Sequence, residues 1–321
     1  MPKALVQIAG KTLLEHAVER FQKAQIPDIT IAIGWMSDMV REVVSQFEHL
    51  AAIHIVEVTD YEIGPLRTLT TALDCIKDDA VLVTPIDLMV PSEPLSQIIY
   101  NHSTNQDAIA TLAVDTKSTS GSPVSIDSSG RILGVQKRVE NEDTIATSAM
   151  FMVIKSEFVE HCKRALERGA TTVVSVLNNL IHEGYSVQSF PIDAVWFDLD
   201  TIQDFLDANR YYLKSALVQY KDAIFVPVGD TMEIGNPLNF DSGIVIESGV
   251  CLQGPCLIDR ESHIGENCII GPYTSIGRGT IVEDQCEIKD AILFGNSHVP
   301  ANSRYHSIVV NDSTIFRMEV S

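Results

Sequence analysis

The sequence predicts an α/β domain built on a mostly parallel sheet, followed by a solenoid of short strands. Two observations carry this. Residues 1 to about 215 alternate continuous apolar runs with amphipathic helical stretches, the pattern of a sheet covered by helices on both faces. Then every sixth residue is apolar, at Ile246, Leu252, Ile258, Ile264, Ile270, Ile276, Val282, Ile288 and Phe294. A strict period of six fits neither the 3.6-residue helix nor the two-residue strand; it fits a coil with three flat faces per turn.

Taken in order, Lys11 to Lys23 places Leu13, Leu14, Ala17, Val18 and Phe21 at helical spacing. Ile29 to Ile33 is a short apolar strand, Met36 to Phe47 a helix, Ile53 to Val58 a strand and Leu66 to Ile76 a helix. Ala80 to Thr84 and Ala108 to Val114 are continuous apolar strands. Pro123 to Ile126 and Ile132 to Gln136 flank Asp127-Ser128-Ser129-Gly130, a turn composition, and so predict a hairpin. Thr147 to Ile154 is a strand, and Ser156 to Arg168 and Val173 to Glu183 are helices. Ser186 to Pro191 and Ala194 to Phe197 are strands, and Ile202 to Leu213 is a closing helix. Pro227, Gly229, Gly235 and Pro237 punctuate the passage that follows.

Within the six-residue ladder, glycine follows at Gly265, Gly271, Gly277 and Gly295. Four positions on, the side chain is mostly small: Val250, Cys256, Ser262, Cys268, Thr274, Thr280, Cys286. A large inward residue and a small one around a turn suit the corners of a narrow prism. The pattern resembles the left-handed parallel β-helix of hexapeptide-repeat proteins. The expected organisation is an α/β domain over residues 1–215, a linker over 216–243 and a left-handed β-helix over 244–321.

The chain has 321 residues, 45% of them hydrophobic, and a formal net charge of -20. That charge argues against wrapping nucleic acid or docking on anionic membranes. No segment has the length of a transmembrane helix and the N-terminus lacks a signal-peptide pattern, so cytoplasmic residence is expected. The six cysteines show no CxxC spacing, and Cys256, Cys268 and Cys286 fit better as small core residues of the prism.

In an open parallel sheet, ligands bind at the carboxyl ends of strands. Three candidates stand at such ends: Lys3, Asp87 and Asp198. Two carboxylates and a lysine suit a phosphate-bound cation, since Mg²⁺ takes one or two carboxylates plus phosphate oxygens. Two plainer readings stay open: Asp198 or Asp200 as the cap of the following helix, and Asp87 as a turn residue.

The segment from Pro2 to Phe21 resembles the stretch after the glycine-rich loop of sugar-1-phosphate nucleotidyltransferases, where a PK leads through an apolar strand and a GK-type turn into a helix. Asp87 matches the family's aspartate after a central strand. Trp196, Asp198, Thr201, Asp204 and Ala208 match its late W-x-D-x-x-T-x-x-D-x-x-x-A motif. Gly64, Thr68 and Ala72 resemble its segment beside the nucleotide base, and Gly121 with Lys137 its sugar-binding region. A C-terminal β-helix is common in the family, and the resemblance covers nearly the whole chain. It implies a Rossmann-like sheet and a reaction in which a nucleoside triphosphate and a sugar 1-phosphate give a nucleotide-sugar and pyrophosphate. It implies Asp87 and Asp198 as Mg²⁺ ligands, Lys3 on phosphate in the transition state, Gly64 and Thr68 at the nucleotide, and Gly121 and Lys137 at the sugar phosphate.

The chain departs from the family in several places. Gln136 replaces a glutamate before Lys137, Ser148-Ala149 an asparagine-glycine pair, and Pro85-Ile86 the glycine before Asp87. The chain opens inside the motif at Met1-Pro2-Lys3, without the glycine-rich loop that cradles the triphosphate, so an N-terminally truncated domain of doubtful activity is expected. The leading expectation is a uridylyl- or thymidylyltransferase acting on glucose or N-acetylglucosamine phosphates, homo-oligomeric through the β-helix. The alternatives are a non-catalytic subunit that binds sugar phosphates, a mannose-1-phosphate guanylyltransferase, and a hexapeptide acyltransferase using a histidine such as His263, His298 or His306. The region from Ala291 to Ile315 resembles the part of bifunctional members that precedes an acetyltransferase site, which favours a scaffolding role for the prism.

Overall fold

The long apolar segment ending at Lys155 organises the first part of the molecule. The computed structural model describes residues 1–47, 52–118, 121–136, 144–215 and 222–317. They divide into two units, Met1–Pro2 with His16–Trp196, and Lys3–Glu15 with Phe197–Ser321. In the first, strand Thr144–Lys155 pairs antiparallel with Ala108–Asp115 along one edge. Along the other edge it pairs antiparallel with Pro123–Ile126 and then Ala80–Val83. Ala80–Val83 and Ala108–Asp115 therefore run in one direction, and Ser186–Pro191 joins Ala108–Asp115 in parallel. Asp28–Ile33 and Ala52–Glu57 form a further parallel pair. The unit is mixed α/β with mostly shared strand direction and one long strand set against it.

Alternation along the strands sends side chains to two cores. Leu112, Val114, Met152 and Ile154 pack with Leu66, Phe158, Cys162, Val176 and Leu180 from three helices. Ala113, Phe151 and Val153 pack on the other side with Leu95 and Ile98. These two belong to helix Ser92–Thr104, which the sequence reading missed. Its apolar stripe is thin, Leu95, Ile98 and the buried His102, between exposed polar residues. The expected hairpin forms, and Asp127 closes it by accepting the N–H groups of Ser129 (2.9 Å) and Arg131 (3.0 Å). No strand forms over Ala194–Trp196; only Phe197–Asp198 is extended, because Trp196 turns aside to hydrogen-bond Asp115. The register against Ala108–Asp115 slips between Ser148 and Met152, and Met150 sits in this bulge at φ 69.

The second unit is a parallel coil. Residues 18 apart pair in register, as Val245 with His263, Cys251 with Ile269 and Cys256 with Thr274. The apolar ladder is buried from Ile246 to Phe294, and so are the small corner residues. Glycine is required where a rung passes close: a Cβ on Gly271, at φ 95, would lie 1.9 Å from the Gln253 carbonyl oxygen. One feature of the ladder is corrected. Left-handed corner residues recur every six positions at Glu261, Asn267, Tyr273, Gly279 and Gln285, then after five at Asp290. The later turn is therefore 17 residues, and Leu293, not Phe294, stacks on Ile276.

Residues 222–240, within the stretch expected as a linker, lie antiparallel along the first turn: Ile224–Val226 on Cys256–Ile258, Thr231–Ile234 on Val250–Gln253. Thr314–Arg317 pairs antiparallel with the last strand, Arg304–Asn311. The first turn of the coil and part of its last are thus covered. Along one face the outward residues Leu257, Ser275, Ile292 and Val309 are buried too, because helix Ile202–Lys214 packs on that face. Among the described residues no helix is long and apolar enough to cross a membrane.

Candidate functional site

Lys3 opens a short 3-10 turn, Lys3–Leu5, and its ammonium Nζ lies 3.0 Å from Asp200 Oδ1. Asp198 ends strand Phe197–Asp198, and its carbonyl accepts the Asp200 N–H at 3.1 Å. Neither aspartate caps the helix that follows. Thr201 does, in a capping box with Asp204: the Asp204 N–H donates to Thr201 Oγ1, and Asp204 Oδ2 accepts the Thr201 N–H at 2.7 Å. The plainer reading of Asp198 and Asp200 as caps is thereby removed. Asp200, which sequence reasoning weighed only as a cap, is the partner of Lys3; the signal was its placement in the D-x-D of Asp198-Leu199-Asp200.

Asp87 belongs to the first unit and lies in the turn between strands Ala80–Val83 and Leu88–Met89, so it is a turn residue as well as a strand-end carboxylate. The turn is braced by Arg20, a residue sequence reasoning passed over. Its buried guanidinium donates to the Leu88 carbonyl and to Thr84 Oγ1, the latter at 3.3 Å. A basic residue in register with the buried Leu13 and Ala17 was the available signal.

Gly64 stands at φ 131 before helix Pro65–Leu73, with Pro65 in its first turn and Thr68 one turn further on. A Cβ at Gly64 would come within 2.9 Å of the Thr171 carbonyl oxygen, and the Leu66 N–H donates to that same oxygen at 3.0 Å. Gly121, at φ 108, leaves room for Thr147, whose Cγ2 would lie 2.8 Å from an added Cβ. Gln136 follows the hairpin and donates from Nε2 to Ser122 Oγ at 3.1 Å. Lys137 lies outside the described residues. Asp115, near Gly121 in the chain, accepts hydrogen bonds from Trp196 Nε1 and from the N–H groups of Lys117 and Ser118. Burial pushes its carboxyl up, but the Trp196 indole, the two backbone donors and the charge of Lys117 outweigh this and hold it below the usual carboxylate range.

Behind the Lys3 turn, Asn209 is fully buried. Its Oδ1 accepts the Ala9 N–H at 2.9 Å and the Ser275 hydroxyl at 2.6 Å, and its Nδ2 donates to the Tyr273 carbonyl at 3.2 Å. The N-terminal segment, the helix after Asp198 and the coil are thereby held together within the second unit.

An α/β sheet packed by helices on both faces is a nucleotide-binding class of fold. The chain belongs to the family of MobA-like NTP transferase domains, whose model matches residues 1–182, and so to the sugar-1-phosphate nucleotidyltransferases that its motifs resemble. Residues 252–319 match the GMPPB C-terminal domain. Among curated relatives, the bifunctional protein GlmU of Methanocaldococcus jannaschii is 24% identical over 317 residues, 98% of this chain and 72% of that protein. The low-salt glycan biosynthesis nucleotidyltransferase Agl11 of Haloferax volcanii is 24% identical, covering 94% of this chain and 84% of that protein. Mannose-1-phosphate guanylyltransferase 1 of Arabidopsis thaliana is 24% identical, covering 88% and 72%. Among solved structures, the inositol-1-phosphate CTP transferase from T. maritima shares the fold, with TM-score 0.55 and 15% identity over 64% of this chain and 82% of that one.

Proposed function

We propose that the chain transfers a nucleotidyl group from a nucleoside triphosphate to a sugar 1-phosphate, releasing pyrophosphate. The observation that carries this reading is Lys3 paired with Asp200, two residues beyond Asp198, at a strand end whose following helix is capped by Thr201 instead. In this reading Asp87 and Asp198 hold Mg²⁺, for which hard carboxylate oxygens are the fitting donors. When bound, Mg²⁺ supplies neutralisation of phosphate charge. Lys3 adds a point cation at the phosphates. In the same reading Gly64 and Thr68 face the nucleotide. Gly121 and Lys137 hold the sugar phosphate for in-line attack on the α-phosphorus, so that the protein contributes mainly orientation and electrostatics.

The nucleotide in this reading is a uridine or thymidine triphosphate and the acceptor glucose or N-acetylglucosamine 1-phosphate, with copies of the chain associating through a left-handed coil. Guanosine with mannose 1-phosphate is the second reading, supported by the match of residues 252–319 to the GMPPB C-terminal domain. Pyrophosphate release from UTP, dTTP, GTP, CTP and ATP, each with glucose, N-acetylglucosamine and mannose 1-phosphates, tests both. Release with UTP or dTTP supports the first and release with GTP and mannose 1-phosphate the second. No release with any pair, together with no binding of any sugar phosphate, overturns the enzyme reading.

A further inference from the structure

Asp115 stands where strand Ala108–Asp115 leaves the sheet toward Gly121. Its two carboxylate oxygens serve different segments. Oδ1 accepts the N–H groups of Lys117 at 2.8 Å and Ser118 at 3.1 Å, folding the chain back on itself as an Asx turn. Oδ2 accepts the Trp196 indole N–H at 3.0 Å. Thr147, which lies opposite Asp115 in the strand register, completes the arrangement. Its hydroxyl donates to the Ser118 carbonyl at 3.1 Å, and its methyl fills the space where Gly121 lacks a side chain. Lys117 in turn reaches Asp193, three residues before Trp196, at 2.5 Å. Two segments far apart in sequence, 115–118 and 193–196, are thus tied by one charged acceptor and one indole donor.

Charge-assisted hydrogen bonds of this kind hold geometry more firmly than neutral ones. Indole offers a single donor and no acceptor, and that donor is given to the Asp115 carboxylate. In sequence, Trp196 lies two residues before Asp198, while the Asx turn leads to Gly121. We propose that Asp115 and Trp196 are positioning residues for sugar-phosphate binding: their hydrogen bond sets the backbone at Lys117–Ser118 and, through Thr147, at Gly121. This inference rests on the reading of Gly121 as part of the sugar-phosphate site.

Trp196→Phe keeps an aromatic six-membered ring and removes the indole N–H together with the rest of the five-membered ring. Hydrogen exchange at the Lys117 and Ser118 amides is expected to quicken about tenfold, and the KM for the sugar 1-phosphate to rise about tenfold. The KM for the nucleotide and kcat are expected to stay within about twofold. Asp115→Asn, which turns an amide donor or a weaker acceptor toward the indole, gives a second variant should the first fold poorly. Combining it with Trp196→Phe is expected to add little, since both break one contact. Unchanged exchange at residues 117 and 118 overturns the inference, as does faster exchange with unchanged KM for the sugar phosphate. Wild-type protein that neither turns over nor binds glucose, N-acetylglucosamine or mannose 1-phosphate brings down the underlying reading first, and that outcome is visible without any variant.

Discussion

Arg210 holds Asp290 with both arms of its guanidinium: Nε lies 2.6 Å from Oδ1, and Nη2 reaches Oδ2. Asp290 is buried, stands at φ 52, and marks the place where the coil shortens its turn by one residue. The Ser307 hydroxyl adds a third donor at 2.6 Å, and Asp207 steadies the arginine at 2.6 Å. A helix side chain therefore pins the irregular corner of the coil. Arg210→Met strands a buried carboxylate and is expected to destabilise by about 2–4 kcal/mol, the guanidinium's partial exposure lowering the figure for a fully buried pair. Asp290→Asn, which still accepts one hydrogen bond, is expected to lose less. Urea unfolding of both variants checks this, and equal losses would contradict it.

Thr201 caps the helix after Asp198, and in the proposed reading Asp198 serves the chemistry while Thr201 serves stability. Asp198→Asn and Asp87→Asn are expected to lower pyrophosphate release by about 10²-fold or more, while melting stays within about 2 °C of wild type. Thr201→Ala loses the capping box and is expected to destabilise by about 1 kcal/mol with the smaller effect on turnover. Paired assays of release and thermal melting separate the two. Substantial activity in Asp198→Asn would remove it from the site.

His102 is buried in helix Ser92–Thr104, with Nδ1 2.8 Å from Thr111 Oγ1. Burial, and then the charge of Lys155, hold its pKa below the ordinary 6.5. The unfolded chain therefore binds a proton that the folded chain resists. Stability conferred by the neutral imidazole is full above about pH 6.5 and falls as pH drops through that value toward the lower folded pKa. Denaturation midpoints between pH 7.5 and pH 5.5 are expected to decline, and His102→Gln, which keeps a partner for Thr111, to flatten the decline.

Met150 occupies a left-handed conformation at the bulge in strand Thr144–Lys155, and it is exposed. Its side chain gains little there while its backbone is strained. Met150→Gly is expected to be neutral or stabilising by about 0.5 kcal/mol, the relief of strain offset by greater freedom of the unfolded chain. Met150→Val is expected to destabilise by more than 1 kcal/mol, about the cost of a β-branched residue in that region. Chemical denaturation of the two variants decides the sign.

The coil was the most legible part of the chain because its burial pattern is local: each rung repeats the same inward residue, and all nine ladder positions are buried. The slip at Asp290 was not legible, since Leu293 and Phe294 are both apolar and either continues the period. Helix Ser92–Thr104 was missed because its core stripe is sparse and includes a histidine. Asp87 and Asp198 were legible as strand-end acids following apolar runs. Arg20, Asn209 and the Asp115–Trp196 contact were not, because each acts on residues 60 or more positions away and nothing in local spacing reports such partners.

The sequence by itself determined the repeat, the hairpin and its Asp127-Gly130 turn, the alternation of strands and helices, and the aspartates and lysine that resemble a nucleotidyltransferase. The repeat, the hairpin and the alternation follow from side-chain periodicity or turn chemistry within about 20 residues; the roles of the aspartates and the lysine are what the family resemblance implies. Only the tertiary structure decided that Thr144–Lys155 runs against its neighbours, that residues 222–240 fold back over the first turn of the coil, and that Asp198 and Asp200 are not helix caps. Strand order, edge cover and the partner of a charged group are settled by which distant surfaces meet, and those meetings leave no period in the chain.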